Sequence, residues 1–223
     1  MKNTFLAFLA LSALAVSCKK SSSDSGTAPQ KYMNLAAGST WTYESVNNLT
    51  VTTTTNIVTS TNRDSSINGR SYHVFTNSNG AANDYYNITG SDYYTFRTLP
   101  GASGVPPLDI IYLKENAAVG TSWSQTVNLP LTGFPSGVPV VFTNTITETG
   151  ISRTVNARSY TGVVHIVTGI SVTGLPASSI TSDIQSYYAP DYGLIESKTK
   201  ISTTLLPSSN VDQNTTLKTA TLK

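Results

Sequence analysis

The sequence of 223 residues has a formal net charge of +2, and charged residues make up only 12% of it, against about 25% in typical soluble domains. Nothing in this small, balanced charge suggests the basic surface that nucleic-acid binding requires, so no nucleic-acid partner is expected. Hydrophobic residues make up 39% of the chain, which excludes a fully disordered protein. The 34 Thr and 29 Ser residues stand beside frequent Val, Ile and Tyr. Because Thr, Val, Ile and Tyr favour strands, the composition predicts an all-β protein.

The N-terminus has the pattern of an exported bacterial protein. A short positive start precedes an almost continuous apolar run from Phe5 to Val16. This run is shorter than the roughly 20 residues of a membrane-spanning helix and has the length of a signal-peptide core. The stretch 14–18, Leu-Ala-Val-Ser-Cys, ends in the only cysteine of the chain and resembles the lipobox of bacterial lipoproteins. We therefore predict a signal peptide over residues 1–17 and a lipid on Cys18, with the membrane as a partner. The alternative is an ordinary secretory signal beside an incidental cysteine.

The residues after the cysteine predict a tether. Residues 18–30 are polar, with many serines and no apolar face to bury, which is typical of a flexible linker. Lys19 rather than Asp follows the cysteine. The resemblance to bacterial lipoproteins then implies an outer-membrane location, on either its periplasmic or its surface face.

A single β domain is predicted over residues 31–206. Alternate residues of a strand face the same side, so we expect one face to be formed by residues at odd positions: Trp41, Tyr43, Leu49, Val51 and Ile57. Asn68-Gly69 predicts a type I′ hairpin turn. Gly90-Ser91 is expected to join strands at 84–89 and 92–97 as a second hairpin.

Two segments of this domain recur in the same order. Residues 36–41, Ala-Ala-Gly-Ser-Thr-Trp, are echoed by 118–123, Ala-Val-Gly-Thr-Ser-Trp. Residues 67–72, Ile-Asn-Gly-Arg-Ser-Tyr, are echoed by 155–160, Val-Asn-Ala-Arg-Ser-Tyr. We interpret this as two similar halves, about 31–114 and 115–206, and expect Trp41 and Trp123 to occupy matching, mostly buried places. Chance similarity in a Ser/Thr-rich chain is the alternative.

Strands are also predicted in the second half of the domain. Alternating apolar residues predict strands around 138–146, 164–172 and 195–205. Residues 179–186 are the only candidate for a short helix. Residues 207–223 are polar, and we expect them to form a frayed tail outside the domain.

The two ends of the domain carry recognisable motifs. The spacing Tyr32…Leu35…Gly38…Trp41…Tyr43 and the stretch 187–195, Tyr-Tyr-Ala-Pro-Asp-Tyr-Gly-Leu-Ile, resemble the opening and closing of a broad group of uncharacterised Bacteroidota lipoproteins. The resemblance covers most of residues 32–201. It implies an antiparallel, strongly curved sheet or half-open barrel, similar to lipoprotein carriers or lipocalins, and it implies no catalytic residues.

No residue pattern indicates an enzyme. His73 and His165 are the only histidines, and no Gly-x-Ser-x-Gly elbow is present, so both histidines are expected to be ordinary strand residues. The pattern also lacks the ligand spacing of a metal site and the glycine patterns that bind phosphate groups. We therefore expect no catalysis, no metal and no cofactor.

The candidate ligand-binding residues are three tyrosine pairs, Tyr85-Tyr86, Tyr93-Tyr94 and Tyr187-Tyr188. One ring of each pair is expected in the core and the other on the opposite face, where exposed aromatic rings stack on apolar or glycan ligands. The alternative is cross-strand pairing that only stabilises the sheet. We hypothesise a membrane-anchored envelope lipoprotein that acts as a non-enzymatic binding or accessory module. The alternative is a structural lipoprotein that tethers a protein partner without a ligand pocket.

Overall fold

The structure is a computed structural model that describes residues 31–98, 106–131, 134–203 and 210–223. The predicted signal peptide, Cys18 and the linker therefore lie outside the described residues. The described residues form twelve strands in chain order: β1 Thr40–Asn47, β2 Thr52–Ile67, β3 Arg70–Asn77, β4 Asp84–Thr89, β5 Asp92–Arg97, β6 Leu108–Lys114, β7 Ser122–Leu131, β8 Phe134–Val155, β9 Arg158–Val172, β10 Ile180–Ala189, β11 Gly193–Thr203 and β12 Val211–Thr221.

All twelve strands pair antiparallel in one sheet, in the order β6-β5-β4-β3-β2-β1-β12-β11-β10-β9-β8-β7. The sheet curls into a nearly closed barrel with one unsealed seam, at which the two ends of this order, β6 and β7, face each other. Side chains bridge the seam: Trp123 Nε1 donates to Ile111 O at 2.8 Å, and Gln125 Nε2 donates to Asp109 O at 2.7 Å. The predicted all-β, strongly curved antiparallel sheet is confirmed.

The two predicted halves correspond to strands β1–β6 and β7–β12. Trp41 and Trp123 are each the second residue of the first strand of a half. Ahead of Trp41, Gly38 N donates to Ser60 O and Ser60 N to Ser39 O, both at 2.9 Å. Ahead of Trp123, Gly120 N donates to Ile146 O at 2.8 Å, and Ile146 N donates to Thr121 O at 3.0 Å. Gly120, Ile146 and Thr121 thus take the places of Gly38, Ser60 and Ser39. The two halves therefore begin with the same local geometry.

Two predicted boundaries are corrected by the structure. The supposed tail contains β12, which pairs with both β1 and β11, so the domain and its second half extend well beyond residue 206. The supposed helix at 179–186 is instead a 3₁₀ turn at Ala177–Ser179 followed by β10, because residues from 180 onward pair with β11 and, from 184, with β9.

The predicted inward face of the first strands is also corrected. Trp41 is buried as expected, whereas Leu49 and Val51 are 57% and 87% exposed at the β1–β2 turn. In β2 it is Val58, at an even position, that is buried, and Ile57 is 41% exposed. The alternation restarts after the turn at 48–51, so the parity of β1 does not continue into β2.

Candidate functional site

The segment before β1 closes one end of the barrel. Tyr32 OH donates to Gly162 O at 2.9 Å, and Tyr32 N donates to Tyr93 OH at 3.1 Å. Gly193 has a φ of +68°, and a Cβ there would lie only 3.1 Å from the sulfur of Met33. Glycine is therefore required at this position for both conformation and space. The opening and closing motifs thus pack against each other, and they form the floor of the barrel.

Four tyrosines form a layer within the barrel: Tyr43, Tyr86, Tyr112 and Tyr188. The ring centroids of Tyr86 and Tyr112 are 5.9 Å apart, and those of Tyr112 and Tyr188 are 5.3 Å apart. Tyr43 OH donates to Leu194 O at 2.9 Å. Burial raises the pKa of all four hydroxyls, and neighbouring tyrosine hydroxyls raise the pKa of Tyr43 and Tyr112 further. These groups stay neutral at physiological pH and give the interior a rigid aromatic base.

A cavity of about 320 Å³ lies inside the barrel against this layer. Its walls come from β5 to β12, so the cavity spans the β6–β7 seam. Half of the described lining residues are aliphatic or aromatic, and all but one of the others are neutral and polar. The lining residues are Arg97, Ile110, Tyr112, Gln125, Val127, Phe142, Asn144, Ile166, Thr168, Ile184, Ser186, Tyr188, Leu194, Ser197, Thr199, Ile201, Gln213 and Thr215.

The six predicted tyrosines are divided between the two faces of the sheet, as strand alternation requires. Tyr86, Tyr93 and Tyr188 lie inside the barrel, and only Tyr188 lines the cavity. Tyr93 is fully buried in the floor, where its hydroxyl donates to Glu115 Oε2 at 2.7 Å. Tyr93 therefore supports the site from below and does not itself reach the cavity.

The other three tyrosines lie on the outer face, where side chains of the protein contact their rings and leave Tyr187 only 7% exposed. The Arg70 guanidinium lies 3.5 Å from the centroid of the Tyr94 ring. Tyr187 is stacked on His165 at 4.1 Å, and Arg153 lies 3.4 Å from the same tyrosine ring. Tyr85 packs edge-on against Phe96 at 6.2 Å. The structure therefore does not bring Tyr85, Tyr94 and Tyr187 together as one exposed stacking platform.

Sequence reasoning missed the polar cavity residues. Three amide side chains line the cavity: Gln125, Asn144 and Gln213. The first two lie between apolar residues at alternate positions of their strands, and Gln213 lies near the start of β12. A signal for them was present, since in β8 the inward series Phe142, Asn144, Ile146 interrupts an apolar face with an amide. A polar residue in the middle of an inward series is typical of a barrel whose interior is not completely filled by its own side chains.

The histidines make contacts that the sequence did not predict. His73 Nε2 lies 2.9 Å from Ser60 Oγ, and His73 Nδ1 lies 2.9 Å from Asp64 Oδ1. This is the contact order of a Ser–His–acid triad. However, Ser60 is only 1% exposed, and its hydroxyl donates to Leu35 O at 2.9 Å. The Ser60 hydroxyl is therefore buried and already bonded to the backbone.

The described residues contain neither a cluster of metal ligands nor a helix that could span a membrane. Among them, no group of three or more His, Cys, Asp or Glu side chains is placed to hold a metal ion. Within the same ranges, none of the helical segments has the length and hydropathy to cross a membrane.

Comparisons with known proteins bear on the fold. No known protein family and no curated protein matches the sequence. The fold is similar to the crystal structure of a protein from Parabacteroides distasonis ATCC 8503 that is described as a proposed lipoprotein. The TM-score is 0.50 and the sequence identity 12%, and the similarity covers 86% of this chain and 99% of the other. At this identity the comparison shows a shared fold and no more. The source organism belongs to the Bacteroidota, the group whose lipoproteins the opening and closing motifs resemble.

Proposed function

We propose that the protein is a lipid-anchored lipoprotein of the outer membrane that binds an apolar ligand inside its barrel and catalyses no reaction. The observation that carries this proposal is the interior cavity of about 320 Å³, which lies at the lower end of the roughly 300–1,000 Å³ typical of ligand pockets. Unfilled interior space costs stability, because the walls lose packing contacts. A barrel that only tethers a partner has no need of that space.

The chemistry of the walls supports an apolar ligand more than a glycan. Burial of apolar surface contributes about 25 cal/mol per Å², and Tyr112, Ile166 and Leu194 offer such surface beside the tyrosine layer. Neutral groups such as Gln125 and Thr168 supply the few hydrogen bonds that orient a ligand. Of the predicted tyrosines, Tyr188 carries the ligand contact in this proposal.

Filling the cavity tests this proposal. Ser186 lines the cavity, whereas Thr181 on the same strand is exposed on the outer face. We expect Ser186→Phe to abolish saturable binding of the neutral probe N-phenyl-1-naphthylamine, measured by its fluorescence, and Thr181→Phe to leave it unchanged. Equal binding by both variants would place the ligand elsewhere. Failure of the unaltered protein to bind any neutral apolar probe would favour the tethering role instead.

The lipid anchor is tested separately. Two acyl chains on Cys18 would each contribute about 0.8 kcal/mol per buried CH₂, enough for stable attachment. We expect Cys18→Ala to yield an uncleaved precursor or a soluble protein in fractionated cells, whereas Ser17→Ala, which keeps a small residue before the cysteine, should remain in the membrane fraction. Acyl-chain labelling that persists in Cys18→Ala would contradict lipidation at this residue.

A further inference from the structure

Arg97 is the one charged side chain among the described residues that line the cavity. It is the last residue of β5, beyond Tyr93 and Thr95 on the inward face of that strand. Its charge acts on interior groups, since it lowers the pKa of Asp84 and of Tyr188 against the larger, opposite effect of burial. Arg97 is itself exposed to solvent, so it lies where the cavity opens to the outside.

No described residue forms a hydrogen bond or an ion pair with the Arg97 guanidinium. Two other arginines are paired, Arg70 with Asp109 at 3.2 Å and Arg153 with Glu196 at 2.7 Å, whereas the exposed Arg63 lines no part of the cavity. Asp84 is the carboxylate whose pKa the charge of Arg97 lowers. Its hydrogen bond comes from Asn77 Nδ2, at 3.0 Å, and not from Arg97. A guanidinium offers five N–H donors in a planar fork, so the donors of Arg97 remain available at the cavity wall.

We infer that the ligand is a single-chain amphiphile with an anionic head group, which pairs with Arg97 while its chain occupies the cavity. This inference rests on the proposed function. The planar fork of arginine matches carboxylate and phosphate groups in a bidentate manner. None of the described lining residues has an acidic side chain that would repel such a head group. The cavity volume suits one chain and not the several chains of a large lipid.

The test compares ligands that share one chain length and differ in head group. The full chain carrying Cys18→Ser, which prevents acylation, is titrated calorimetrically with laurate, dodecyl phosphate and 1-dodecanol below their aggregation limits. Laurate or dodecyl phosphate should bind about tenfold more tightly than 1-dodecanol, a difference that one charge-assisted hydrogen bond supplies. Whichever of the two anions binds more tightly identifies the head-group chemistry.

The arginine variants decide the role of Arg97. Arg97→Gln should bring the preference for the anion close to one, and Arg97→Lys, which keeps the charge without the fork, should keep part of it. Arg63, exposed on the outside, supplies the matched control, and Arg63→Gln should keep the full preference. Equal affinity of the unaltered protein for laurate and 1-dodecanol, or an unchanged preference in Arg97→Gln, overturns this inference and leaves the proposed function standing. Absence of binding by all three ligands overturns both.

Discussion

At the scale of single residues, the turn at 68–69 can be compared directly with the equivalent turn at 156–157. Asn68 and Gly69 have φ values of 51° and 79°, and the equivalent Asn156 and Ala157 have 49° and 64°. Alanine in this left-handed region brings its Cβ close to the following carbonyl oxygen, at a cost of about 1–2 kcal/mol. The first half avoids this cost with glycine, and the second half does not.

This difference predicts opposite effects of two substitutions. Ala157→Gly should raise the free energy of unfolding by up to about 1 kcal/mol, since the relief of strain is partly offset by the greater freedom of glycine in the unfolded chain. Gly69→Ala should lower it by a similar amount, because a Cβ at Gly69 meets nothing within 4 Å and adds only strain. Urea unfolding followed by circular dichroism measures both. Destabilisation by Ala157→Gly would show that the two turns are not equivalent.

Residue-level sequence patterns predicted the tyrosine pairs only in part. Alternation requires that one ring of each pair faces inward, and this is observed. Which of the two faces inward depends on register, and bulges between Tyr93 and Tyr94 and between Tyr187 and Tyr188 shift that register. The contact of His73 with Ser60 and Asp64 likewise depends on an irregularity of the β2–β3 pairing, which no local pattern indicates.

At the scale of elements, the hairpins were predictable because their signals are local. The strands β4 and β5 begin and end where the turn residues around Gly90 predict. Strand β12 was missed for a physical reason. Its inner face contributes Gln213 and Thr215 to a partly polar cavity, and only Leu217 is fully buried. A strand that lines a cavity does not need the apolar alternation by which strands are recognised in a sequence.

The seam was beyond sequence reasoning as well. Trp123 and Gln125 bond to carbonyls of β6, although those partners lie more than ten residues earlier in the chain and are not neighbours in any hairpin. Asn144 of β8 also reaches Ile111 O, at 3.4 Å. Side chains therefore replace the backbone pairing that would seal a closed barrel, and two of them, Gln125 and Asn144, also line the cavity. Closure of the barrel and shape of the site depend on the same residues.

At the scale of the whole molecule, the duplication does not produce two equivalent sites. The cavity is lined by β5 to β12, and no described residue of β1 to β4 lines it. The halves also differ in the floor, where the buried Ser60 of the first half corresponds to the buried Ile146 of the second. The repeated segments therefore predicted the matching geometry ahead of β1 and β7, while the position of the site follows from differences between strands β1–β6 and β7–β12.

The tyrosine layer joins strands from around the barrel, so its titration reports on the whole fold. Burial raises the pKa of Tyr43, Tyr86, Tyr112 and Tyr188 above the ordinary value of 10.0. Below pH 10 the folded and unfolded chains both hold these protons, and the stability that burial of the neutral hydroxyls provides is fully present. Above pH 10 the unfolded chain releases protons that the folded chain keeps, so the unfolded state binds fewer protons and the free energy of unfolding falls.

Each of these tyrosines should contribute a loss of about 1.4 kcal/mol per pH unit above pH 10 until its folded-state pKa is reached. The four together give about 5.6 kcal/mol per pH unit, so the protein should unfold steeply in alkali. Urea midpoints measured at intervals from pH 9 to pH 11 (about one unit on either side of the ordinary tyrosine value) give this slope. Tyr86→Phe removes one titrating group and should reduce the slope by about 1.4 kcal/mol per pH unit. Buried tyrosines outside the layer, such as Tyr93, also have a raised pKa and keep their own part of the slope. A slope that Tyr86→Phe leaves unchanged would mean that the Tyr86 hydroxyl is not buried in the folded protein.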